Sequence, residues 1–468
     1  MNTIITNRII IEEPTEFIVD WCKNNLVFNN PEYQQLVRMG KENVIKWKKI
    51  PEKLELFSKI WGRIEIPFGC VYALWDEIKK YPYELKFNYA GDISIKNDNP
   101  TYEPFDYQEE AINEMLKFKG GVLVSPCGSG KTLMGIEIIR RIGKKALWLC
   151  HTSDLLTQTK SAMLTQYPNI KIGLTTNGKF ELGEDVTIST VQTLVNIDPD
   201  MYKDKFDVVI VDESSHVSGS VTQIKMFSKI ISKIPARYKF GLTATPSRAD
   251  KLINSMYAYI GLNKNGEFKP MSKVDSNKVK TIKAFHEKIE LNSGYDDYDL
   301  YKICDASGMI NYNKLVAELS ENEERTLKII DNIEECYKEG RKQVVLTLRK
   351  QHCEDITRLL NDRGIETKYI ASNLSAKKRE EIIKQEVKWD VIVATYSLLK
   401  EGVNIKELDT LHLATPASDK SLIVQCAGRI ERYIENKKQP IVYDYVDIDI
   451  PYCERKYNQR KGYLRRRF

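Results

Sequence analysis

The chain has 468 residues, of which 42% are hydrophobic and 29% charged, a globular composition large enough for about three domains. Its net charge of +6 permits a polyanionic partner without indicating one. It contains no run of about 18 apolar residues and no N-terminal signal-peptide pattern, so we expect neither a membrane span nor secretion. The nine cysteines form no C-x-x-C pair, which favours reduced thiols in a cytoplasmic protein over a zinc ribbon or a redox dithiol.

The first hundred residues differ in pattern from the rest of the chain. Residues 1–100 lack a regular alternation of strands and helices, and they contain the tryptophans Trp21, Trp47, Trp61 and Trp75. We predict a small N-terminal α+β accessory domain over this range.

From about Phe105, short apolar runs alternate with amphipathic stretches. The runs are about five residues long and apolar throughout, as expected of strands that are buried on both faces of a parallel sheet. The pattern stops near Arg248 and resumes after Gly340, so we predict two α/β domains in tandem. Their predicted bounds are 101–250 and 326–468, with a connector and peripheral elements over 251–325.

A glycine-rich loop, Ser125-Pro-Cys-Gly-Ser-Gly-Lys-Thr, directly follows a predicted strand and opens a predicted helix. In that context Gly128, Ser129 and Gly130 are expected to wrap the backbone around a phosphate chain at the helix N-terminus. Lys131 is expected to reach the β- and γ-phosphates, and Thr132 to bind Mg²⁺. The loop therefore predicts a site for ATP and Mg²⁺.

A second apolar strand, Val-Val-Ile-Val at 208–211, ends in two carboxylates. Asp212 is expected to hold Mg²⁺ through water. Glu213 is expected to polarise the water that attacks the γ-phosphate, a role that needs a carboxylate beside the metal.

Nine segments in the order and spacing of helicase motifs make the chain resemble the DExH-type superfamily 2 helicases from about Phe105 onwards. The segments are 107–108, which precedes motif I, then 125–132 (motif I), 148–160 (Ia), 187–194 (Ib), 212–216 (II), 241–246 (III), 343–349 (IV), 394–405 (V) and 425–432 (VI). The resemblance implies two tandem RecA-like parallel-sheet domains that use ATP to act on nucleic acid.

Within the superfamily, the chain is most similar to the UvsW-type phage helicases and the XPB-type repair translocases. Thr-Ala-Thr-Pro-Ser-Arg at 243–248 and Glu-Gly-Val-Asn-Ile at 401–405 carry this likeness. Residues 62–69 are similar to an I-x-I-P-R-G segment of phage-type members, with Phe68 in place of the arginine. The likeness implies that residues 1–100 belong to the same architecture. It also implies that the protein acts in the cytoplasm of a bacterial or phage-infected cell.

The resemblance assigns further residues to the nucleotide. It implies that Gln108 reads adenine, and that Gly402 and Asn404 bind the nucleotide, although the family often has Asp where this chain has Asn404. Arg429 and Arg432 are three apart on a predicted helix, hence on one face, with Gln425 a turn earlier. We expect these side chains to stabilise the charge of the transition state from the second domain.

Nucleic-acid contacts are expected by motif position at Thr152, Gln158, Thr190, Arg349 and Thr395. Hydroxyls and amides suit phosphate contacts that do not depend on base sequence. The basic C-terminal run at 455–467 either tracks a nucleic-acid backbone or forms a solvated tail.

Motif II departs from the family pattern. The family usually has histidine three residues after the aspartate, where this chain has Ser215, and His216 follows. One of the two is expected to link the ATP site to Thr243 and Thr245 of motif III. An extended segment would point them in opposite directions, so at most one can occupy the coupling position. Ser215 is favoured, because it has the aligned position and its hydroxyl can both donate and accept hydrogen bonds.

The resemblance implies an ATP-dependent DNA helicase or translocase that acts as a monomer on single-stranded, forked or duplex DNA. Replication or recombination proteins are further expected partners. An RNA helicase is the alternative, disfavoured because motif VI begins with Gln425 and not histidine. The motor subunit of a restriction or defence complex also stays open, with the nuclease on a partner. An inactive scaffold is disfavoured by the complete set of catalytic residue types.

Overall fold

The computed structural model describes residues 1–126, 128–218, 220–244, 252–305, 308–371, 374–383, 385–396, 405, 407–417 and 419–465. The chain divides into two compact units, Met1–Lys278 and Val279–Phe468. Among the residues in these ranges, no helix is both long and apolar enough to cross a membrane.

The chain begins with a small α+β module built on a mixed five-stranded sheet of order β5-β6-β2-β1-β7. Residues alternate between buried and more exposed along β2, as a sheet with one covered face requires. The strands are β1 Asn2–Ile5, β2 Arg8–Glu12, β3 Val27–Asn29, β4 Lys53–Glu55, β5 Ser58–Ile60, β6 Arg63–Pro67 and β7 Tyr83–Leu85. The helices are α1 Glu16–Asn25, α2 Pro31–Arg38, α3 Glu42–Lys48 and α4 Val71–Ile78, and β3 pairs with β4 as a separate ribbon.

The first parallel-sheet domain follows, with the strand order β10-β11-β9-β12-β13-β8-β14 and only parallel pairings. Its strands are β8 Gly120–Val124, β9 Ala146–Cys150, β10 Ile172–Thr175, β11 Val186–Thr190, β12 Val208–Val211, β13 Tyr238–Thr243 and β14 Ser272–Lys273. Its helices are α5 Asp106–Phe118, α6 Lys131–Ile142, α7 Ser153–Gln166, α8 Val191–Leu194, α9 Val221–Ile231 and α10 Ile253–Ile260. Every residue of β8, β9, β11 and β12 is buried, which explains the unalternating apolar runs.

The N-terminal module and this domain share one hydrophobic core. Gly69 marks the contact, because a Cβ atom there would lie 2.5 Å from the carbonyl oxygens of Tyr257 and Ala258. The Leu262 N–H also donates to the Gly69 carbonyl at 2.9 Å. The module is therefore packed tightly against α10.

The second unit contains a six-stranded parallel sheet of order β15-β20-β19-β16-β18-β17. Its strands are β15 Phe285–Leu291, β16 Gln343–Thr347, β17 Thr367–Ile370, β18 Val391–Thr395, β19 Thr410–Leu413 and β20 Ile441–Asp447. Its helices are α11 Asp297–Lys302, α12 Tyr312–Glu321, α13 Glu323–Lys338, α14 Lys350–Asp362, α15 Ala376–Ile383, α16 Lys420–Ile430 and α17 Pro451–Arg465. The predicted fold class, two parallel-sheet α/β domains with a small N-terminal α+β region, is confirmed.

The range 251–325, predicted to be a connector, is divided between the two units. Helix α10 and strand β14 lie in the first, and β15 is the edge strand of the second sheet. Charged residues are frequent in β15, because an edge strand exposes much of its surface, and this hid the strand in the sequence.

The basic C-terminal run is a packed helix, α17, up to Arg465. Arg460 is 1% exposed, and its guanidinium group bonds both carboxylate oxygens of Asp444 at 2.6 and 2.8 Å. A buried, bidentate pair of this kind fixes α17 to the sheet. Arg460 therefore fits neither alternative predicted for the run.

Candidate ATP and nucleic-acid sites

The residues predicted to bind ATP follow the carboxyl ends of neighbouring strands in the first parallel sheet. The glycine-rich loop follows β8, and the two carboxylates follow β12. Strand β13 lies between these two strands, and motif III begins in its last residues. Because all three strands are parallel, these segments lie along one edge of the sheet. Ligands of open α/β sheets bind at this edge.

The glycine-rich loop has the conformation that its residues predict. Gly128 and Gly130 have φ angles of +79° and +81°, and Gly130 caps α6, whose first residue is Lys131. The Ser125 hydroxyl is hydrogen-bonded to that of Ser129, which also contacts the Pro126 carbonyl at 2.7 Å. Ser125, in the place of the usual glycine, therefore braces the loop from within.

Gln108 contacts this loop directly. Its Nε2 donates to the Ser129 carbonyl at 2.7 Å, and the Tyr107 hydroxyl donates to the same oxygen at 3.1 Å. Its Oε1 accepts from the Phe105 N–H at 3.0 Å. A Cβ atom on Gly130 would lie 2.4 Å from Gln108 Nε2, so the close approach requires glycine. In this structure Gln108 holds the phosphate-binding loop in place.

Asp212 and Glu213 place two carboxylates next to Lys131. Asp212 is 5% exposed, and burial together with the neighbouring Glu213 raises its pKa to about 7. The Nζ of Lys131 lies 3.9 Å from Glu213 Oε1 and 3.5 Å from the Ser125 carbonyl. Buried carboxylates that share a site are costly to ionise together unless a cation offsets their charge.

A magnesium ion fits this arrangement. Glu213 Oε2 is buried and has no hydrogen-bond partner among the described residues, and burial followed by the charge of Glu213 raises the pKa of Asp212. Mg²⁺ takes oxygen ligands and is usually held by one or two carboxylates together with phosphate oxygens. Asp212 and Thr132 are the side chains that would hold it.

The segment after Glu213 is a 3₁₀-helix, Ser214–Ser218, and is not extended. The predicted alternation of Ser215 and His216 is therefore wrong, because a 3₁₀-helix advances three residues per turn. Ser214 is fully buried against motif III, since a Cβ atom on Gly241 would lie 2.9 Å from its Oγ. His216 packs against His151, with 4.7 Å between the ring centroids.

His151 was not predicted as a functional residue. It directly follows β9 and precedes Thr152, whose hydroxyl accepts the Leu155 N–H at 3.3 Å as the N-cap of α7. The His151–His216 contact thus joins motif II to motif Ia. The sequence offered one signal for this contact, namely two histidines that each follow a buried strand. The contact itself could not be predicted, because it depends on the order of the strands in the sheet.

The nucleic-acid candidates of the first domain lie on the same edge as the ATP site. Thr152 and Thr190 follow or end β9 and β11, and Gln158 lies one turn and a half into α7. Thr190 is 5% exposed and its hydroxyl bonds that of Thr193 at 2.8 Å. Thr190 thus occupies the N-cap position of α8, but its hydroxyl bonds the Thr193 side chain and makes no capping bond to the backbone.

In the second unit, Gln425 and Arg429 share a face of α16, but Arg432 does not lie on that helix. Helix α16 ends at Ile430, so the predicted placement of Arg432 on one helical face with Arg429 is wrong. Arg432 instead forms an antiparallel bridge with Thr281, and the Glu431 carboxylate accepts the Ala284 N–H at 3.0 Å. These bonds from residues 281–284 draw the chain out of the helix.

Of the remaining predicted site residues, the structure describes Arg349 and Thr395 of the second unit. Arg349 is exposed, and its Nη2 donates to the Asn313 carbonyl at 2.8 Å, while Thr395 ends β18. Thr245, Gly402 and Asn404 lie outside the described residues.

Two domain families match the chain. Residues 101–248 match the family described as the res subunit of type III restriction enzymes, and residues 324–434 match the helicase conserved C-terminal domain. Together they span more than half of the chain.

Curated relatives include viral and phage helicases. L396 of Acanthamoeba polyphaga mimivirus, which carries the name of an ATP-dependent RNA helicase, is 25% identical over 84% of this chain and 71% of its own length. The ATP-dependent DNA helicase uvsW of Enterobacteria phage T4 is 24% identical over 82% of this chain and 79% of its own length. Helicase D10 of Escherichia phage T5 is 26% identical over 68% of this chain and 66% of its own length.

Among solved structures, Saccharomyces cerevisiae Dbp5 bound to RNA and ADP BeF3 is similar in fold, with a TM-score of 0.56 and 14% identity. The match covers 78% of this chain and 88% of that one.

The fission yeast repair translocase subunit XPB is 28% identical over 44% of this chain and 30% of its own length. The chain belongs to the superfamily 2 helicases and is related to UvsW and XPB.

Proposed function

We propose that the protein is an ATP-dependent DNA helicase or translocase that moves on, or remodels, forked, branched or duplex DNA. The observation that carries the proposal is the site at the edge of the first sheet, where Lys131 faces Glu213 beside the glycine-rich loop. DNA is favoured because UvsW and XPB are named for work on DNA, and because motif VI begins with Gln425.

The mechanism assigns each side chain a separate task. The backbone of residues 128–130 binds the phosphates at the N-terminus of α6, and Lys131 neutralises them. Thr132 and Asp212 would hold Mg²⁺, which would supply positive charge to the phosphate oxygens. Glu213 orients the attacking water and takes its proton as the water oxygen bonds the γ-phosphorus. The bond between that phosphorus and the β–γ bridging oxygen breaks, so ADP and phosphate leave.

Arg429 and Arg432 complete the proposed catalytic set from the second unit. Fixed guanidinium groups stabilise the charge that spreads over the γ-phosphoryl oxygens. Thr152, Gln158, Thr190, Arg349 and Thr395 are the proposed contacts for the sugar-phosphate backbone.

The link between hydrolysis and movement is assigned to motif II. Ser214 touches Gly241 of motif III, and His216 touches His151 of motif Ia. We therefore place the coupling at His216 acting through His151 on Thr152, with Ser215 as the alternative that aligns with the family pattern. Thr243, whose carbonyl accepts the Ser125 N–H at 3.0 Å, connects motif III to the phosphate-binding loop.

The proposal is tested by ATP hydrolysis measured with single-stranded DNA, forked DNA, blunt duplex DNA and RNA of equal length. A DNA helicase gives the largest stimulation with forked or single-stranded DNA, and a duplex translocase with blunt duplex. Stimulation by RNA alone would assign the protein to the RNA helicases, the activity that the name of L396 carries.

A further inference from the structure

The turn between β5 and β6 carries a fully exposed tryptophan, Trp61. Trp61 and Gly62 form a two-residue turn between the paired residues Ile60 and Arg63. Their φ angles are +49° and +77°, and Trp61 is 100% exposed. The largest natural side chain therefore stands at the tip of a hairpin, entirely in solvent.

The stability of the hairpin does not account for this residue. Two-residue turns in which both φ angles are positive favour Asn-Gly or Asp-Gly, and a bulky side chain in the left-handed region is strained. Trp61 buries no surface that would offset the strain. A cost to the fold at a fully exposed aromatic residue indicates that its ring serves an intermolecular contact.

The charge of the segment that leads into the hairpin identifies the class of partner. Residues 38–63 contain eight lysines and arginines against three glutamates, a net charge of +5 in a chain whose total is +6. All eleven of these side chains are exposed. A solvated basic segment that is close in sequence to an exposed aromatic ring suits nucleic acid, since phosphates meet the cations and bases stack on the ring.

The charges at the tip itself are balanced. Arg63 pairs with Glu65 at 2.7 Å, its register partner on β2 is Glu12, and the Glu13 N–H donates to the Gly62 carbonyl at 3.1 Å. A balanced tip does not attract phosphate strongly. It suits the uncharged face of a base, while the basic segment 38–52 attracts the backbone.

We propose that Trp61 is a stacking site for an unpaired base of nucleic acid, and that the exposed cations of residues 38–63 hold the adjoining backbone. The inference rests on the proposed function, because it takes nucleic acid as the substrate. It adds a contact in the N-terminal module to those expected on the two parallel-sheet domains.

The test is the dissociation constant of the full chain for a fluorescein-labelled 20-mer of deoxythymidine, measured by anisotropy. Trp61→Asn removes the ring and places a residue that favours the turn, so its melting temperature should be unchanged or higher. The constant should rise between about 5-fold and 100-fold, as expected for the loss of one stacked base. Trp61→Tyr should retain most of the affinity, because it keeps an aromatic face.

Three comparisons make the result specific. Tyr301→Asn, a change at a 76% exposed aromatic of the second unit, should leave affinity unchanged. Binding to a blunt 20-base-pair duplex should be unaffected by Trp61→Asn, because its interior bases are already stacked. A uridine 20-mer shows whether the site also accepts unpaired RNA bases.

An unchanged affinity of Trp61→Asn for the single strand would overturn the inference, as would an equal loss with the blunt duplex. Failure of the proposed function looks different. In that case the wild-type chain itself would neither bind the oligonucleotides nor hydrolyse ATP faster in their presence.

Discussion

At the residue scale, Glu213 combines an unfavourable backbone conformation with a buried, unpartnered carboxylate oxygen. Its φ angle is +45°, in the left-handed region that side-chain-bearing residues seldom occupy. Such strain persists only where the surrounding structure enforces it, and it is found most often at functional positions. The sequence identified Glu213 by its place after an apolar strand, but its strained backbone was visible only in the structure.

Glu213→Gln should bind ATP with nearly wild-type affinity and hydrolyse it at least 100-fold more slowly, within the range for loss of a general base. The amide keeps the size of the side chain but cannot accept the proton of the attacking water. Nucleotide binding by fluorescence titration and phosphate release should be measured separately. Parallel loss of binding and hydrolysis would show that Glu213 has a structural role.

Lys239 is a second residue whose environment opposes its usual state. It is 1% exposed, and its Nζ has no hydrogen-bond partner among the described residues and lies 4.4 Å from the centre of the Phe68 ring. Burial lowers the pKa of Lys239 from 10.5 to about 7.

The depressed pKa of Lys239 predicts that the free energy of unfolding rises with pH. Below about pH 7 both states are protonated and the folded state bears the full cost of the buried charge. Between about pH 7 and 10.5 only the unfolded state binds the proton, which adds up to about 1.4 kcal/mol of stability per pH unit. Urea unfolding should show Lys239→Met more stable than wild type at pH 7, with a smaller difference at pH 9. A difference that does not change with pH would contradict the shifted pKa.

At the scale of elements, the sequence predicted the strands better than the ends of helices. Buried parallel strands such as β12 appear as continuous apolar runs, because both faces are covered. The end of α16 depends on Glu431 and on residues 281–284, which are remote in sequence, so the position of Arg432 beyond the helix could not be predicted. The 3₁₀-helix Ser214–Ser218 was missed for a similar reason, since Ser214 fits against Gly241 of a neighbouring strand.

Helix α16 ends at Ile430, so Arg429 lies within the helix and Arg432 lies beyond it. We therefore expect substitutions of the two arginines to have different effects on ATP hydrolysis. Arg432→Ala should spare ATP binding and lower the hydrolysis rate by about 10³-fold, the range of an arginine finger. Arg429→Ala should be measured beside it, because it removes the same group from within the helix. A loss of tenfold or less for Arg432→Ala would move the main catalytic role to Arg429.

The contact between the motif II and motif Ia segments makes a prediction about coupling. His216→Ala should leave most ATP hydrolysis in place while strand separation falls, because the ring contact with His151 is lost. His151→Ala should have the same effect, and the double variant should be no worse than either single one. Ser215→Ala is the control for the family position. If Ser215→Ala alone separates the two activities, the coupling runs through the serine, and if no variant does, the proposed link is wrong.

At the scale of the whole molecule, the two parallel-sheet domains were predictable from their alternating pattern, whereas the role of residues 1–100 was not. Their strands and helices are short, so the shared core with the first domain appears only in the structure. The division of residues 251–325 between two units was hidden for a related reason, because β15 joins its sheet only through β20.

We propose that ATP hydrolysis at the glycine-rich loop drives work on nucleic acid. The decisive measurement is displacement of a labelled strand from a forked DNA duplex, with wild type and Lys131→Ala compared at equal concentration. Lys131→Ala removes the charge that meets the β- and γ-phosphates, and should fold normally because the side chain leaves no cavity in the apolar core. We expect displacement by the wild type with ATP, and none by the wild type without ATP or by the variant with it. Displacement by a well-folded Lys131→Ala protein at the wild-type rate would show that this loop does not drive the activity.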